Sequence, residues 1–286
     1  MLTPRISASS YSNTAPLIWS FLYGSHHGQA EIILDNAPAR SAELMAKGRV
    51  DAALVPVFAY QSIDDLRLVP GVCVGAKERV RSVCLVTSGE DLRDVRSVAL
   101  DVSSRTSVAL TKIIFREFLG FEPEWLDAEP NIGAMLAGSD AALLIGDPAL
   151  AVRDGSASPK ERAISASQVE PPIQTRVAAP YRKFDLAEIW KSFTGLGFVF
   201  AMWMTRAETS PIDFAAVCDE GLRHIEEIIS NYEAQIGLPR DEMRQYLIEN
   251  ISYTLDESMQ AGLELYYQLA EKNGLIERNR PLRYAT

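Results

Sequence analysis

The chain has 286 residues, 47% of them hydrophobic and 23% charged, with a formal net charge of −10. Those values exclude disordered and fibrous classes and allow a large core, in one α/β domain or in two lobes. The acidic balance excludes nucleic acid and anionic membrane surfaces as partners, since both need a basic footprint; a small anionic ligand would have to be held by local dipoles and a few cations.

Met1-Leu2-Thr3-Pro4-Arg5-Ile6 runs directly into a strand-like stretch, without the basic and apolar regions of a signal peptide. No apolar run is long enough to cross a membrane, so a cytoplasmic location is expected. In chain order the pattern predicts strand 6–9, helix 14–23, strand 30–34, helix 39–47, strand 52–55 and an apolar strand 81–86. Strand 98–101, helix 106–119, strand 124–126, helix 131–137 and strand 141–145 follow.

The second series echoes the first. Asn13-Thr14-Ala15 opens a helix after a strand, as Arg105-Thr106-Ser107 does, and Leu34-Asp35-Asn36-Ala37-Pro38 is matched at the same offset by Leu126-Asp127-Ala128-Glu129-Pro130. Asp51-Ala52-Ala53-Leu54 returns as Asp140-Ala141-Ala142-Leu143 at a slightly shorter offset. Pro38 and Pro130 suit a first helical turn, and Gly48 and Gly138 suit a left-handed helix end.

Two such units imply two parallel or mixed sheets with flanking helices, and a ligand cleft between two lobes. Strand 81–86 would carry the chain to the second lobe, and Phe198-Val199-Phe200-Ala201-Met202-Trp203-Met204 would carry it back. The expected division is 1–85 with 196–286 for the first lobe and 86–195 for the second. From about Ser210 the 3.6 periodicity predicts helices packed on the first lobe, and Gly155 to Pro172 reads as an extended connection.

Cys73, Cys84 and Cys218 are widely spaced and odd in number, so they read as buried small hydrophobes, not as a disulfide framework or zinc site. His26, His27 and His224 fall in no strand-end turn, and there is no metal spacing, nucleophile elbow, P-loop or dinucleotide fingerprint.

The polar residues gather at strand-to-helix turns. Asp101-Val102-Ser103-Ser104-Arg105-Thr106-Ser107 offers hydroxyls, free N–H groups and a guanidinium, more than a helix cap requires, and so points to anion binding. The equivalent first-lobe turn runs from Ser7 through Ser9 and Asn13 to Pro16; Asn13 serves either as a cap or as a ligand contact. In Gly146-Asp147-Pro148, Asp147 reads first as an N-cap and second as a cleft residue.

Tyr11-Ser12-Asn13-Thr14-Ala15-Pro16-Leu17, Asp51-Ala52-Ala53-Leu54-Val55-Pro56, Ser103-Ser104-Arg105-Thr106-Ser107, Leu144-Ile145-Gly146-Asp147-Pro148-Ala149-Leu150 and Thr194-Gly195-Leu196-Gly197-Phe198 together resemble the chorismate dehydratase family of the futalosine route to menaquinone. The resemblance implies a type II periplasmic-binding-protein fold and dehydration of chorismate to 3-[(1-carboxyvinyl)oxy]benzoate, without metal or cofactor. It implies Asn13 as the catalytic polar residue, with Ser82, Ser103, Ser104, Arg105, Thr106, Ser107 and Gly146 holding the substrate; Ser9 and Asp147, from the polar turns themselves, complete the expected substrate-binding set. The alternatives are the sister enzyme 1,4-dihydroxy-6-naphthoate synthase, which would need a base in the cleft, and a non-catalytic binding protein for small carboxylates.

Overall fold

The computed structural model describes residues 3–153 and 181–286. The connection expected between Gly155 and Pro172 lies outside these residues. Two five-stranded sheets form the frame. The first has the order β2 (Glu31–Asp35), β1 (Arg5–Ser9), β3 (Ala52–Pro56), β10 (Phe198–Thr205), β4 (Arg67–Ala76). The second has β7 (Glu124–Ala128), β6 (Ser97–Asp101), β8 (Ala141–Ile145), β5 (Val83–Thr87), β9 (Arg182–Asp185).

The two orders superimpose strand for strand, which is what the sequence echo implies. β1 pairs in parallel with β2 and β3, as β6 does with β7 and β8; Ile6 lies opposite Ala52, and Val98 opposite Ala141. One strand in each sheet runs against the rest, β10 in the first and β5 in the second. Each of these strands arrives from the other lobe. Central strands β3 and β8 are buried along their whole length, which explains their uninterrupted apolar runs.

The helices between strands are α1 (Ala15–Tyr23), α2 (Pro38–Ala46), α3 (Phe58–Ser62), α4 (Arg105–Ile113), α5 (Ile132–Gly138), α6 (Gly146–Ala151) and α7 (Leu186–Thr194). Helix α4 continues as a π-helical turn over Ile114–Leu119. Gly48 is left-handed, as expected, but Gly138 is not: α5 ends in extended backbone at Ser139. The Ser139 hydroxyl meets the carbonyls of Met135 and Ala141 instead.

One boundary and the packing of the tail differ from the expected division. All of β5, from Val83, belongs to the second sheet, so the crossing precedes residue 83 rather than following residue 85. The reason is Asp185: its carboxylate accepts the backbone N–H groups of Val80 and Arg81 and fixes the chain before β5 begins. The tail, too, is not confined to the first lobe. Helix α8 (Phe214–Arg223) packs on α1, but α9 (Ile225–Ile236) touches α6, and α11 (Glu257–Lys272) lies against both β10 and α4. One apolar core therefore runs from Ile6 and Leu54 in the first lobe through Leu85 and Leu110 in the second to Tyr266 in the tail. Cys73, Cys84 and Cys218 are buried within these layers, and burial pushes the Cys84 and Cys218 thiols up to about 12. Among the described residues, no helix is long and apolar enough to cross a membrane.

Candidate active site

Three strand-to-helix corners meet at the interface of the sheets: Ser9–Asn13 after β1, Asp101–Ser107 after β6, and Gly146–Asp147 after β8. All three lie at carboxyl ends of parallel strands, where such sheets bind ligands. The decisive contact crosses the lobes. Both carboxylate oxygens of Asp147 lie 3.2 Å from the Ser12 backbone N–H, and the Ser12 hydroxyl donates to Oδ1 at 2.5 Å. Asp147 therefore does not cap its own helix; α6 starts without a side-chain cap and frees the carboxylate for the cleft.

Asp147 is ringed by phenols. Tyr11, Tyr232 on α9 and Tyr246 all lie close enough to feel its charge. Burial first, and then this acid and Asp101, push Tyr11 up to about 12. Burial also drives Asp147 above the ordinary carboxylate range, against the pull of the Ser12 donors. Tyr232 ties the tail to the first corner by donating to the Ser10 carbonyl at 3.2 Å. Gly146 has φ +61°, and a Cβ there would stand 2.8 Å from the Tyr11 ring. Only glycine lets the phenol lie against the corner. The Gly146 N–H donates to the Ser82 carbonyl at 2.7 Å, joining this corner to the crossing segment.

The first corner is shaped by Thr14, whose hydroxyl donates to the carbonyls of Ser9 (2.6 Å) and Tyr11 (2.8 Å). Asn13 sits half-buried in the 3-10 turn Ser12–Thr14 and does not cap α1, whose start has no side-chain cap. Its amide is thus not used as a cap. Ser9 and Ser82 are buried at the ends of their segments.

At the second corner the expected residues divide. Ser104 is the cap of α4, accepting from the Ser107 N–H at 3.4 Å. Ser103 gives both its N–H (2.9 Å) and its hydroxyl (2.6 Å) to one oxygen of buried Asp101, whose other oxygen has no partner among the described residues. Thr106 is buried and already engaged: its hydroxyl accepts the Phe58 N–H at 3.2 Å, and its carbonyl accepts from Tyr266 at 3.1 Å. It binds the lobes together. Ser107 is buried under the first turn of α4. Arg105 is exposed, and among the described residues it has no ion pair, so its guanidinium is available at a helix N-terminus.

The histidines lie away from the corners, past the end of α1 and along it. The His26 Nδ1 lies 2.8 Å from the Ser20 hydroxyl, the His27 Nδ1 lies 3.2 Å from the Phe21 carbonyl, and His224 stacks on Trp19.

The profile of a family described as menaquinone biosynthesis matches residues 4–272. The chain belongs to this menaquinone biosynthesis family. A relative named chorismate dehydratase, from Thermus thermophilus, is 31% identical over 279 residues, 93% of each chain. A solved Archaeoglobus fulgidus protein superimposes with TM-score 0.64 at 19% identity, covering 96% of this chain and 98% of that one. The periplasmic aliphatic sulphonate binding protein of Escherichia coli superimposes with TM-score 0.58 at 16% identity, covering 99% and 94%. The fold is the periplasmic-binding-protein fold.

Within this menaquinone biosynthesis chain, three site features have no local sequence signal. Tyr246 lies in a stretch with Met243 and Leu247 that reads as a helix core; Tyr11 reads as part of a turn. Arg81, next to Ser82, is held at φ +62°, a conformation that non-glycine residues rarely adopt. Its N–H reaches Asp185 at 2.6 Å and its guanidinium reaches Glu242 at 3.0 Å.

Proposed function

We propose that this chain removes water from chorismate to give 3-[(1-carboxyvinyl)oxy]benzoate, the first step of the futalosine route to menaquinone. The observation that carries the reading is the Ser12–Asp147 contact, which ties the corner bearing Asn13 to the corner bearing Gly146, itself bonded to Ser82, while Arg105 at the N-terminus of α4 has no ion pair among the described residues. Family membership and the likeness to a named chorismate dehydratase support it.

In this reaction a proton leaves the ring carbon that bears the enolpyruvyl ether, hydroxide leaves the neighbouring carbon, and the ring becomes aromatic. Aromatisation supplies much of the driving force, so the protein contributes mainly rigid positioning and preorganised hydrogen bonds. Arg105 and the α4 N-terminus hold a substrate carboxylate, with Ser103, Ser104 and Ser107 shaping that turn. Asn13 faces the reacting centre as a donor to the departing hydroxyl. The substrate's own side-chain carboxylate takes the proton, no histidine or lysine standing in these turns. The reaction takes place in the cytoplasm, with a small-molecule substrate as partner and neither nucleic acid nor membrane.

Incubating the purified protein with chorismate and following aromatisation in the ultraviolet tests the proposal. Turnover supports it. Tight reversible binding without turnover would place the chain among non-catalytic carboxylate binders. The sister naphthoate synthase reading is disfavoured by the histidines: His26 and His27 follow the far end of α1 and His224 stacks on Trp19 within it, none of them at a corner.

A further inference from the structure

Tyr246 opens a π-helical turn, Tyr246–Asn250, that extends α10 (Arg240–Gln245). Single π-helical turns are uncommon and gather at functional sites. The ring is fully buried, yet the hydroxyl has no hydrogen-bond partner among the described residues. The Ser82 and Asn13 side chains approach it closely enough to ease its phenol pKa downward against burial, though neither meets full hydrogen-bond geometry, and the Asp147 carboxylate is near. A buried hydroxyl without a partner forfeits its bonds to water and destabilises the fold. Phenylalanine would fill the same space at no such cost, so the hydroxyl calls for an acceptor that arrives later.

From this geometry we infer that Tyr246 is a substrate contact: its O–H donates a hydrogen bond to an oxygen of the bound carboxylate-bearing molecule, between Asn13 and Ser82. The inference rests on the dehydration proposed above. Burial, then the neighbouring Asp147, holds the phenol well above its ordinary pKa, so it acts as a donor and not as a base. The tail thereby becomes part of the site: Tyr246 reaches it from the segment after β10, while Asn13 comes from the first corner and Ser82 from the crossing segment.

Tyr253 provides an internal control. It is also buried with an unpartnered hydroxyl among the described residues, but its neighbours are Tyr246 and Cys218 and not the corner residues. The experiment compares Tyr246→Phe and Tyr253→Phe with the wild type for chorismate turnover, product binding by calorimetry and thermal unfolding. Tyr246→Phe is expected to lower kcat/KM about ten- to a hundred-fold and to weaken product binding, with Tm unchanged or raised. Tyr253→Phe is expected to stay within about twofold of wild type in both kcat/KM and product affinity. Wild-type turnover retained in Tyr246→Phe would overturn the inference, as would equal losses in the two variants or a loss that tracks a fall in Tm. A wild-type protein inactive on chorismate would instead remove the proposed reaction, and this inference with it.

Discussion

The Asp147 carboxylate, carried by the second sheet, accepts both the backbone N–H and the hydroxyl of Ser12, carried by the first. Hydrogen bonds to a charged acceptor of this kind are worth about 1.5–3 kcal/mol. Here they act between lobes, so they bear on closure more than on folding. Ser12→Ala and Asp147→Asn are each expected to lower kcat/KM about tenfold. The double variant should lose less than the sum of the two single losses, because Ser12→Ala removes the hydroxyl bond that Asp147→Asn also weakens, while the backbone N–H bond survives in Ser12→Ala. Additive losses in that double-mutant cycle would show that the two residues act separately.

Gly146 is constrained twice, by its left-handed backbone and by the Tyr11 ring. Gly146→Ala should cost about 1–2 kcal/mol for the backbone and a further 1–3 kcal/mol for the clash. Adding Tyr11→Ala should return only the second part of that loss, since the backbone constraint remains. Chemical denaturation of the single and double variants separates the two contributions.

The corners were readable because each follows an apolar strand and precedes a helix, and because Ser103, Ser104 and Arg105 exceed what a cap needs. The repeat exposed the two-sheet architecture for a related reason: central parallel strands such as β3 and β8 must be apolar on both faces. What stayed hidden depends on contacts distant in sequence. Local pattern made Asp147 a cap, yet its partner Ser12 lies in the other lobe. Thr106 looked like one more ligand hydroxyl, but Phe58 and Tyr266 occupy it. Tyr246 follows helical periodicity like any core residue, and only its unpartnered hydroxyl sets it apart.

Asn13 and Arg105 should separate chemistry from binding. The half-buried Asn13 amide is not spent on a helix cap, and Arg105 is exposed without an ion pair among the described residues. Asn13→Ala is expected to lower kcat by about a hundredfold or more with a small change in KM. Arg105→Ala is expected to raise KM about tenfold with kcat nearly preserved. Steady-state kinetics on chorismate checks both, and wild-type turnover by Asn13→Ala would end its catalytic assignment.

Glu220 gives the first lobe an acid-sensitive element far from the corners. Hydrogen bonds from the Ser20 and Ser25 hydroxyls, the Ser25 N–H and His26 hold its carboxyl down at about 2. A carboxylate with a folded pKa below its unfolded one stabilises the native state above the unfolded value, and that stabilisation is lost as pH falls through the folded value. The thermal stability of Glu220→Gln should therefore fall below wild type near neutrality, with the gap narrowing from about pH 4.5 downward and closing near pH 2. A gap independent of pH would mean that packing, not ionisation, sets the role of Glu220.

Asp185 decides how the chain passes between lobes. Its carboxylate accepts from Val80 (3.0 Å) and Arg81 (2.6 Å) on the crossing segment, and from Ala187 (2.9 Å) and Glu188 (3.2 Å) at the start of α7. Asp185→Ala would leave these backbone donors without their acceptor, at a cost of about 3–5 kcal/mol in urea denaturation. It would also release Arg81 from its left-handed conformation, and with it the adjoining Ser82, whose carbonyl holds the Gly146 N–H. Activity should then fall further than stability alone predicts, even at temperatures where the variant is fully folded. Asp185→Asn keeps only one acceptor oxygen and should fall between wild type and Asp185→Ala in both measurements. Equal activity of all three folded proteins would show that the crossing segment keeps its course without this carboxylate, and that the order of the corners comes from the Ser12–Asp147 contact alone.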